Sequence, residues 1–306
     1  MAGFGRFDGL CRNTSSYPWC NLFYRQLQRV DPNALTGVSK DTNTAPVGIV
    51  PRCGIPRTGA GGSLGNIANI VVCALSFWLV VGLLFRCNRR KAAVGRSEFR
   101  TFLILYLISL PLQLLTTGSF LKQGSMALVV FTAFHAGAVV ALFWGLLANA
   151  IVATQVVDDG TLVVMILLYA FSVISFGGTV YISLDVALGV TTTVGGPSSP
   201  PSAIRSIPLF VLTSIWPALS ALIFIIIMSH ITVNVLNERR PMVLYVFTTI
   251  SFILAQLVWF LLGPVICLGS ASKVDGSFIA TLLETICVWL LYMAWKSITE
   301  DAWDNV

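Results

Sequence analysis

The chain has 306 residues, of which 56% are hydrophobic and only 10% charged, against roughly 25% charged in an ordinary soluble domain. Water is therefore not its main solvent, and a soluble-type enzyme is excluded. The net charge of +6 comes largely from the N-terminal segment and one short loop, so it calls for no nucleic-acid partner.

Residues 1–66 read as a polar N-terminal segment. Met1–Asp8 has no apolar run behind it, so no cleavable signal peptide is expected, and the first apolar stretch should act as signal anchor. Trp19, Leu22, Phe23, Leu27 and Val30 recur at helical spacing behind Pro18, with Arg25 and Arg29 opposite. That pattern predicts a short amphipathic helix, lying either on the membrane surface or against neighbouring loops. Val38–Gly65 is rich in Thr, Pro and Gly and reads as an irregular linker. Asn13-Thr14-Ser15 is the chain's single N-glycosylation acceptor pattern.

Seven stretches then meet the requirement of about 20 mostly apolar residues per bilayer crossing: Ile67–Phe85, Phe102–Phe120, Met126–Val156, Thr161–Leu184, Ile207–Met228, Val243–Leu268 and Phe278–Trp295. The expected fold is an all-α bundle of about seven transmembrane helices. Its parts are the N-terminal segment 1–66, a membrane domain 67–296 and an acidic tail 297–306. All 19 Lys and Arg residues fall outside these stretches, as real spans require, because an unpaired charge in hydrocarbon is costly. The loops on the side of Arg86–Arg100 carry nine Lys/Arg, and those on the other side carry three, namely Lys122, Arg205 and Lys273. Short-loop basicity marks the cytosol. The N-terminus is then lumenal and the C-terminus cytosolic. Thr191–Ser206, with Gly-Gly-Pro-Ser-Ser-Pro-Pro-Ser at its centre, is a flexible lumenal loop.

Of seven cysteines, Cys73 and Cys287 lie within spans and Cys87 faces the reducing side. Cys11, Cys20, Cys53 and Cys267 fall on or near the lumenal side, where disulfides persist. Four cysteines allow three pairings, and spacing does not choose among them.

Glu284 is the one acid well inside an apolar stretch and His135 the one histidine inside the third. An intramembrane ionisable group is a functional candidate by default. The plainer reading is a carboxyl hydrogen-bonded by Thr281, Thr285 or a facing helix, and a packed histidine. Small residues at four-residue spacing, Ala133, Gly137, Ala141 and Gly145, form a ridge on the third helix that lets another backbone approach closely, internal or from another protein. Val129 and Val130 are assigned to the lipid face. Pro111, Pro217 and Pro264 should kink the second, fifth and sixth helices.

Several chemistries lack their residues. No Lys lies in a span to form a retinal Schiff base, and no Ser/His set, metal-ligand cluster or phosphate-binding Gly-rich loop occurs. No enzymatic activity, cofactor or metal is expected. The third helix ends in Gln155-Val156-Val157-Asp158-Asp159 rather than an acid-Arg pair, unlike a G-protein-coupled receptor. The tail after Thr299 carries Glu300, Asp301 and Asp304 around Trp303. It is either a frayed end or an acidic patch with an aromatic anchor.

Five segments carry a resemblance. They are Phe7-Asp8-Gly9-Leu10-Cys11 with Pro18-Trp19-Cys20, Ala92 to Glu98, Gln155 to Gly160, Val274 to Thr281, and Trp295 to Asp301. In order and over nearly the whole chain, they resemble the fungal chitin synthase export chaperone family. Residues 38–50 and the Gly-Gly-Pro-Ser-Ser-Pro-Pro-Ser loop depart from its pattern. The resemblance implies a non-enzymatic, multi-pass protein of the endoplasmic reticulum membrane that a chitin synthase needs in order to fold and leave for the cell surface. Its partners would be the chitin synthase client, the lipid bilayer and, through the acidic tail, vesicle-coat machinery. The rival expectation is a small-solute transporter or receptor using Glu284 and His135 in a central cavity.

Overall fold

The computed structural model describes residues 4–58, 65–91, 93–158, 160–191, 194, 198 and 203–300, the last by its backbone alone. Among the described residues there is no strand beyond one isolated antiparallel bridge between Arg6 and Arg205. Seven helices are long and apolar enough to cross a membrane: Ile67–Arg89, Arg96–Thr117, Met126–Ala153, Leu162–Leu188, Ile207–Val235, Arg239–Gly269 and Gly276–Thr299. They are called spans 1 to 7 below.

The helices overrun the apolar stretches at several ends. Span 1 continues through Arg86 and Arg89, and span 2 starts at Arg96, because long basic side chains reach the polar interface from a helix end while the backbone keeps its hydrogen bonds. Asn66 caps span 1, its side chain accepting from the Asn69 N–H, and Ser125 caps span 3 through the Leu128 N–H. Span 4 ends on Gly189, whose left-handed backbone (φ 66°) closes the last turn. Pro111 lies inside span 2. Spans 5 and 6 loosen into π turns at Val211–Ile215 and Val258–Leu262, shortly before Pro217 and Pro264, and span 5 ends in a second π turn at Ile231–Val235. A widened turn absorbs the donor that a proline removes.

Span 3 is central. It packs against spans 2, 4 and 5, while span 7 packs against spans 6 and 1. Spans 5 and 6 meet at Phe224 and Tyr245, whose rings lie 5.9 Å apart edge to face. Towards the π turns their packing thins, and the space between them deepens into a cavity. Span 4 is peripheral, with Val163, Val173 and Ile174 facing outward.

The N-terminal segment forms α1 (Asp8–Asn13) and α2 (Asn21–Val30), then irregular chain with short 3-10 turns. Leu22, Phe23, Tyr24 and Leu27 of α2 are buried, and only Val30 of the predicted apolar face is exposed. The helix packs on spans 3 and 4, so its apolar face meets protein and not lipid. That packing also corrects the assignment of Val129 to the lipid face. Val129 is fully buried in one cluster with Phe7, Trp19, Phe23 and Leu209, because the N-terminal segment covers this end of span 3.

Candidate functional site

The start of span 7 is a polar junction. Asp275, fully buried, precedes the helix and accepts from the Ser277 N–H at 3.0 Å and the Ser277 hydroxyl at 2.5 Å. Asn66 Nδ2 reaches the same carboxylate at 3.2 Å, and the Ser16 hydroxyl donates to its other oxygen. One carboxylate thus ties together the N-terminal segment, the entry of span 1 and the first turn of span 7. Nearby, Gly276 lies so close to Gly263 that an added Cβ would stand 2.8 Å from its Cα. Two disulfides brace the same region, Cys11 to Cys20 and Cys53 to Cys267, the second joining the N-terminal segment to the end of span 6. Asn13 is exposed at the end of α1, while Thr14 and Ser15 are buried.

Below the junction, Ser277, Thr281 and Thr285 recur every fourth residue and present one polar stripe to spans 1 and 2. Gln113 Nε2 donates to the Thr281 hydroxyl at 2.7 Å, Asn69 Nδ2 to the Thr117 hydroxyl at 2.5 Å, and Thr285 to the Ser76 hydroxyl at 2.7 Å. Tyr106 and Thr285 share a further bond at 3.1 Å. Each of these groups would be expensive in an apolar medium alone, and pairing removes that cost.

Glu284 lies on the adjacent face of span 7. Its threonine neighbours are committed to spans 1 and 2, and its partner is the side chain of Gln256 on span 6. Both line a cavity of about 180 Å³ enclosed by spans 2, 3, 5, 6 and 7 and roofed by Tyr17, Pro18 and Trp19. His135 lines the opposite wall. Its Nδ1 is 2.8 Å from the Thr116 hydroxyl, and its ring centroid is 5.0 Å from that of Trp19. Glu284 and His135, 149 residues apart in sequence, therefore share one cavity without bonding each other. Its other walls are mostly aromatic, including Phe143, Phe252, Trp259 and Phe260, and aliphatic, including Val139, Leu142 and Leu146, and no Lys or Arg contributes. Trp259 Nε1 donates to the Ser15 carbonyl at 3.3 Å, which fixes the roof to span 6. Burial pushes the Tyr17 phenol well above its usual value, so this ring serves as a neutral wall.

The ridge of span 3 is taken up inside the bundle. A Cβ on Gly137 would meet Phe176 and Val180 of span 4 at 2.9 Å, and one on Gly145 would meet Leu105 of span 2 at 3.3 Å. Ala133 and Ala141 are buried.

A second junction occupies the opposite ends of the spans. Glu98, fully buried, accepts the Gly160 N–H at 2.9 Å through Oε1, while its Oε2 has no hydrogen-bond partner among the described residues. Trp295 Nε1 donates to the Val94 carbonyl at 3.1 Å, and its ring stacks on Phe99 with centroids 5.1 Å apart. Residues distant in sequence, Val94, Glu98, Gly160 and Trp295, thus meet here. Asp275, Glu98 and Asp185 are buried acids that hydropathy passes over because they sit at helix ends. Asp185 is held by the Thr191 N–H at 2.7 Å and by the Thr191 hydroxyl. The side chain of Glu300 and all of Asp301, Trp303 and Asp304 lie outside the described residues. Among the described residues no three His, Cys, Asp or Glu side chains are grouped to hold a metal ion.

Comparison with known proteins follows the same lines. The family model described as chitin synthase export chaperone matches residues 3–306. A chitin synthase export chaperone of Coccidioides immitis is 28% identical over 303 residues, covering 97% of this chain and 83% of that protein. That of Emericella nidulans is 26% identical over 307 residues, covering 98% and 84%, and that of Kluyveromyces lactis 25% over 299 residues, covering 97% and 92%. No solved structure matches the chain. With a family match running from residue 3 to residue 306 and a seven-span fold organised around the segments that carried the resemblance, the chain belongs to the chitin synthase export chaperone family.

Proposed function

We propose that the protein acts without chemistry of its own, in the endoplasmic reticulum membrane, to help a chitin synthase client fold and depart. Family membership favours this over a small-solute transporter or receptor, although Glu284 and His135 do share a cavity. The observation that carries the structural side of the proposal is that cavity's position. It lies behind the thinly packed upper halves of spans 5 and 6, with a carboxylate, an imidazole and two amides on a wall otherwise mostly aromatic and aliphatic. An unassembled membrane protein exposes polar groups that lipid cannot satisfy. A membrane-embedded recess with hydrogen-bonding groups at its back and aromatic sides can receive one such side chain while the client's own bundle closes. At about 180 Å³ the recess suits a single side chain and not a helix, which is about 10 Å across.

This reading puts the N-terminus in the lumen. The nine-to-three bias of loop Lys/Arg supports this, and so does the gathering of both disulfides at the N-terminal side, since an oxidising compartment preserves them. The acidic tail, with Glu300, Asp301, Trp303 and Asp304, would then extend into the cytosol, available to a basic groove on the client or on vesicle-coat machinery.

The test is co-purification after gentle detergent extraction, with Gln256→Leu and Thr213→Leu variants narrowing the recess. Loss of the chitin synthase from the eluate, at unchanged abundance of this protein, is the expected result. Undiminished recovery with both variants would remove the cavity from the reading. Deleting 299–306 tests the tail separately: client retention in the endoplasmic reticulum at normal abundance assigns it a role, and normal delivery makes it a frayed end.

A further inference from the structure

The π turns at Val211–Ile215 and Val258–Leu262 both face the Glu284 cavity, the first through Thr213 and the second through Trp259 and Phe260. Single π turns inside α-helices occur frequently at functional sites. Here they stand where spans 5 and 6 part, so the cavity opens sideways into the membrane.

The hydrogen-bonding groups around this space are lopsided. The Thr213 hydroxyl donates to the Leu209 carbonyl at 2.7 Å, and the Ser109 hydroxyl to the Tyr106 carbonyl at 2.8 Å. Thr285 donates to Ser76, so the bond it shares with Tyr106 takes the Tyr106 hydrogen. The Trp259 N–H is committed to the Ser15 carbonyl. On the opposite wall Thr116 donates to the Leu112 carbonyl at 2.8 Å and therefore accepts from His135 Nδ1. In the neutral ring that fixes the hydrogen on Nδ1 and leaves Nε2 a bare acceptor, with no hydrogen bond to any described residue. Glu284 is the second acceptor. It is only partly buried, the surface it keeps faces the cavity, and a carboxyl group bonded to Gln256 still has acceptor positions open. The occupant that fits such a lining is a donor.

Size and walls say what carries that donor. A cavity of about 150 Å³ admits a benzene ring. At about 180 Å³ this one admits a single six-membered ring with a small substituent. The walls already meet ring to ring, Phe143 against Phe252 at 6.2 Å and Tyr17 against Phe260 at 5.6 Å, both edge to face, and a further ring extends that pattern. An ammonium or guanidinium would have to be carried bare to this depth, which is costly. A carboxamide would bring a carbonyl for which these hydroxyls have no hydrogen left.

We propose that the recess selects a phenol, the side chain of a tyrosine on a membrane helix of the client, with its hydroxyl donated to Glu284 and its ring among Phe143, Phe252 and Trp259. The owner of the tyrosine rests on the client reading, whereas the preference of the cavity for a phenol does not.

The experiment uses the purified full-length chain in a neutral detergent and 4-fluorophenol as probe, followed by fluorine NMR. The comparison compounds are 1,4-difluorobenzene, in which fluorine replaces the hydroxyl, and 4-fluorobenzylammonium, which carries a cation. The phenol should give a resonance distinct from that of micelle-dissolved probe, saturating at one site per chain, and should bind at least about tenfold more tightly than either comparison compound, the worth of one hydrogen bond to a buried carboxyl. Glu284→Leu removes that acceptor and should cost about tenfold in affinity, while Val173→Leu on the outward face of span 4 should bind as the parent does. If Glu284→Leu does not accumulate, Thr213→Leu, which narrows the recess, should exclude the probe instead. No saturable binding, equal affinity for difluorobenzene or for the ammonium, or parental binding by the recess variant that folds would each overturn the proposal. Added at saturation during co-purification, 4-fluorophenol should lower recovery of the chitin synthase, and difluorobenzene should not. Unchanged recovery with the phenol bound would overturn the assignment to a client tyrosine. Phenol selectivity with no chitin synthase recovered under any condition would instead sink the client reading and leave the cavity's preference standing.

Discussion

Asn66 Nδ2 donates to Asp275 Oδ1 across 3.2 Å although the residues are 209 positions apart. The bond joins the cap of span 1 to the cap of span 7, and the same carboxylate holds Ser277 and Ser16. Replacing Asp275 by Ala would take this acceptor from four buried donors, the Asn66 amide, the Ser16 and Ser277 hydroxyls and the Ser277 N–H. Asp275→Ala should therefore cost several kcal/mol, of the order of 3 or more, since each orphaned buried polar group costs about 1–3 kcal/mol. Asp275→Asn keeps an acceptor oxygen and should melt between the two. Thermal unfolding in detergent checks the order, and a parental melting temperature for Asp275→Ala would show that the junction contributes nothing.

Glu284 tests whether the cavity needs a charge or only a hydrogen-bonding group. Gln at this position still pairs with Gln256 by amide to amide, so Glu284→Gln should keep abundance and client export close to normal. Glu284→Lys places a cation well inside the membrane domain, at a cost of about 2.5–3.5 kcal/mol or more at a helix centre, and should abolish accumulation. Export assays alongside immunoblots separate the two. If the Gln variant accumulates normally yet fails in export, the carboxylate itself has a task, and proton handling becomes the better account.

These pairings also mark where sequence reading stops. The seven spans were legible because each needs a long apolar run, and no apolar run competes with them. Their ends were not, since Arg86, Arg89 and Glu98 look like loop residues by charge while the backbone continues as helix. The junction at Asp275 could not be read at all, because two of its partners, Ser16 and Asn66, lie 259 and 209 positions away in the chain. Val129 shows a different limit: it was assigned to lipid as an apolar residue on an apolar helix, but span 3 is covered there by the N-terminal segment. The small-residue ridge was visible as a pattern, whereas its neighbours, span 4 at Gly137 and span 2 at Gly145, required the structure.

The ridge gives a graded prediction. At Gly137 the nearest atoms to an added Cβ include the Phe176 backbone carbonyl at 2.9 Å, which cannot step aside without moving span 4. Gly137→Ala should therefore destabilise by about 1–3 kcal/mol, the range for overpacking, and Gly137→Leu should prevent folding. At Gly145 the closest atom is a Leu105 methyl at 3.3 Å, which a small side-chain shift relieves, so Gly145→Ala should be nearly neutral. Val173→Leu on the outward face of span 4 is the mild control. Equal melting temperatures for the two alanine variants would show that Gly137 is not a close contact.

The Cys53–Cys267 bridge gives a prediction about both stability and sidedness. Its two residues are 214 positions apart, and the bond fastens irregular chain to the end of span 6, beside the roof of the Glu284 cavity. In the unfolded chain such a link closes a very long loop, for which the chain-entropy account gives a stabilisation near the upper end of about 2–5 kcal/mol. Cys53→Ser should thus lower the melting temperature measurably, and Cys53→Ser/Cys267→Ser should lose little more, because the partner's thiol contributes little once the bond is gone. Cys11→Ser, which opens a bridge between residues only nine apart, should cost less. The same bridges report orientation. If this side is lumenal, Asn13, exposed at the end of α1, is open to glycosylation, while an acceptor engineered into residues 301–306 is not. Non-reducing gels of protein trapped with a thiol-blocking reagent should show both bridges formed in cells, with Cys87 still free. Glycosylation of the engineered tail site, with Asn13 unmodified, would invert the orientation and put both disulfides in a reducing compartment, where they would not persist.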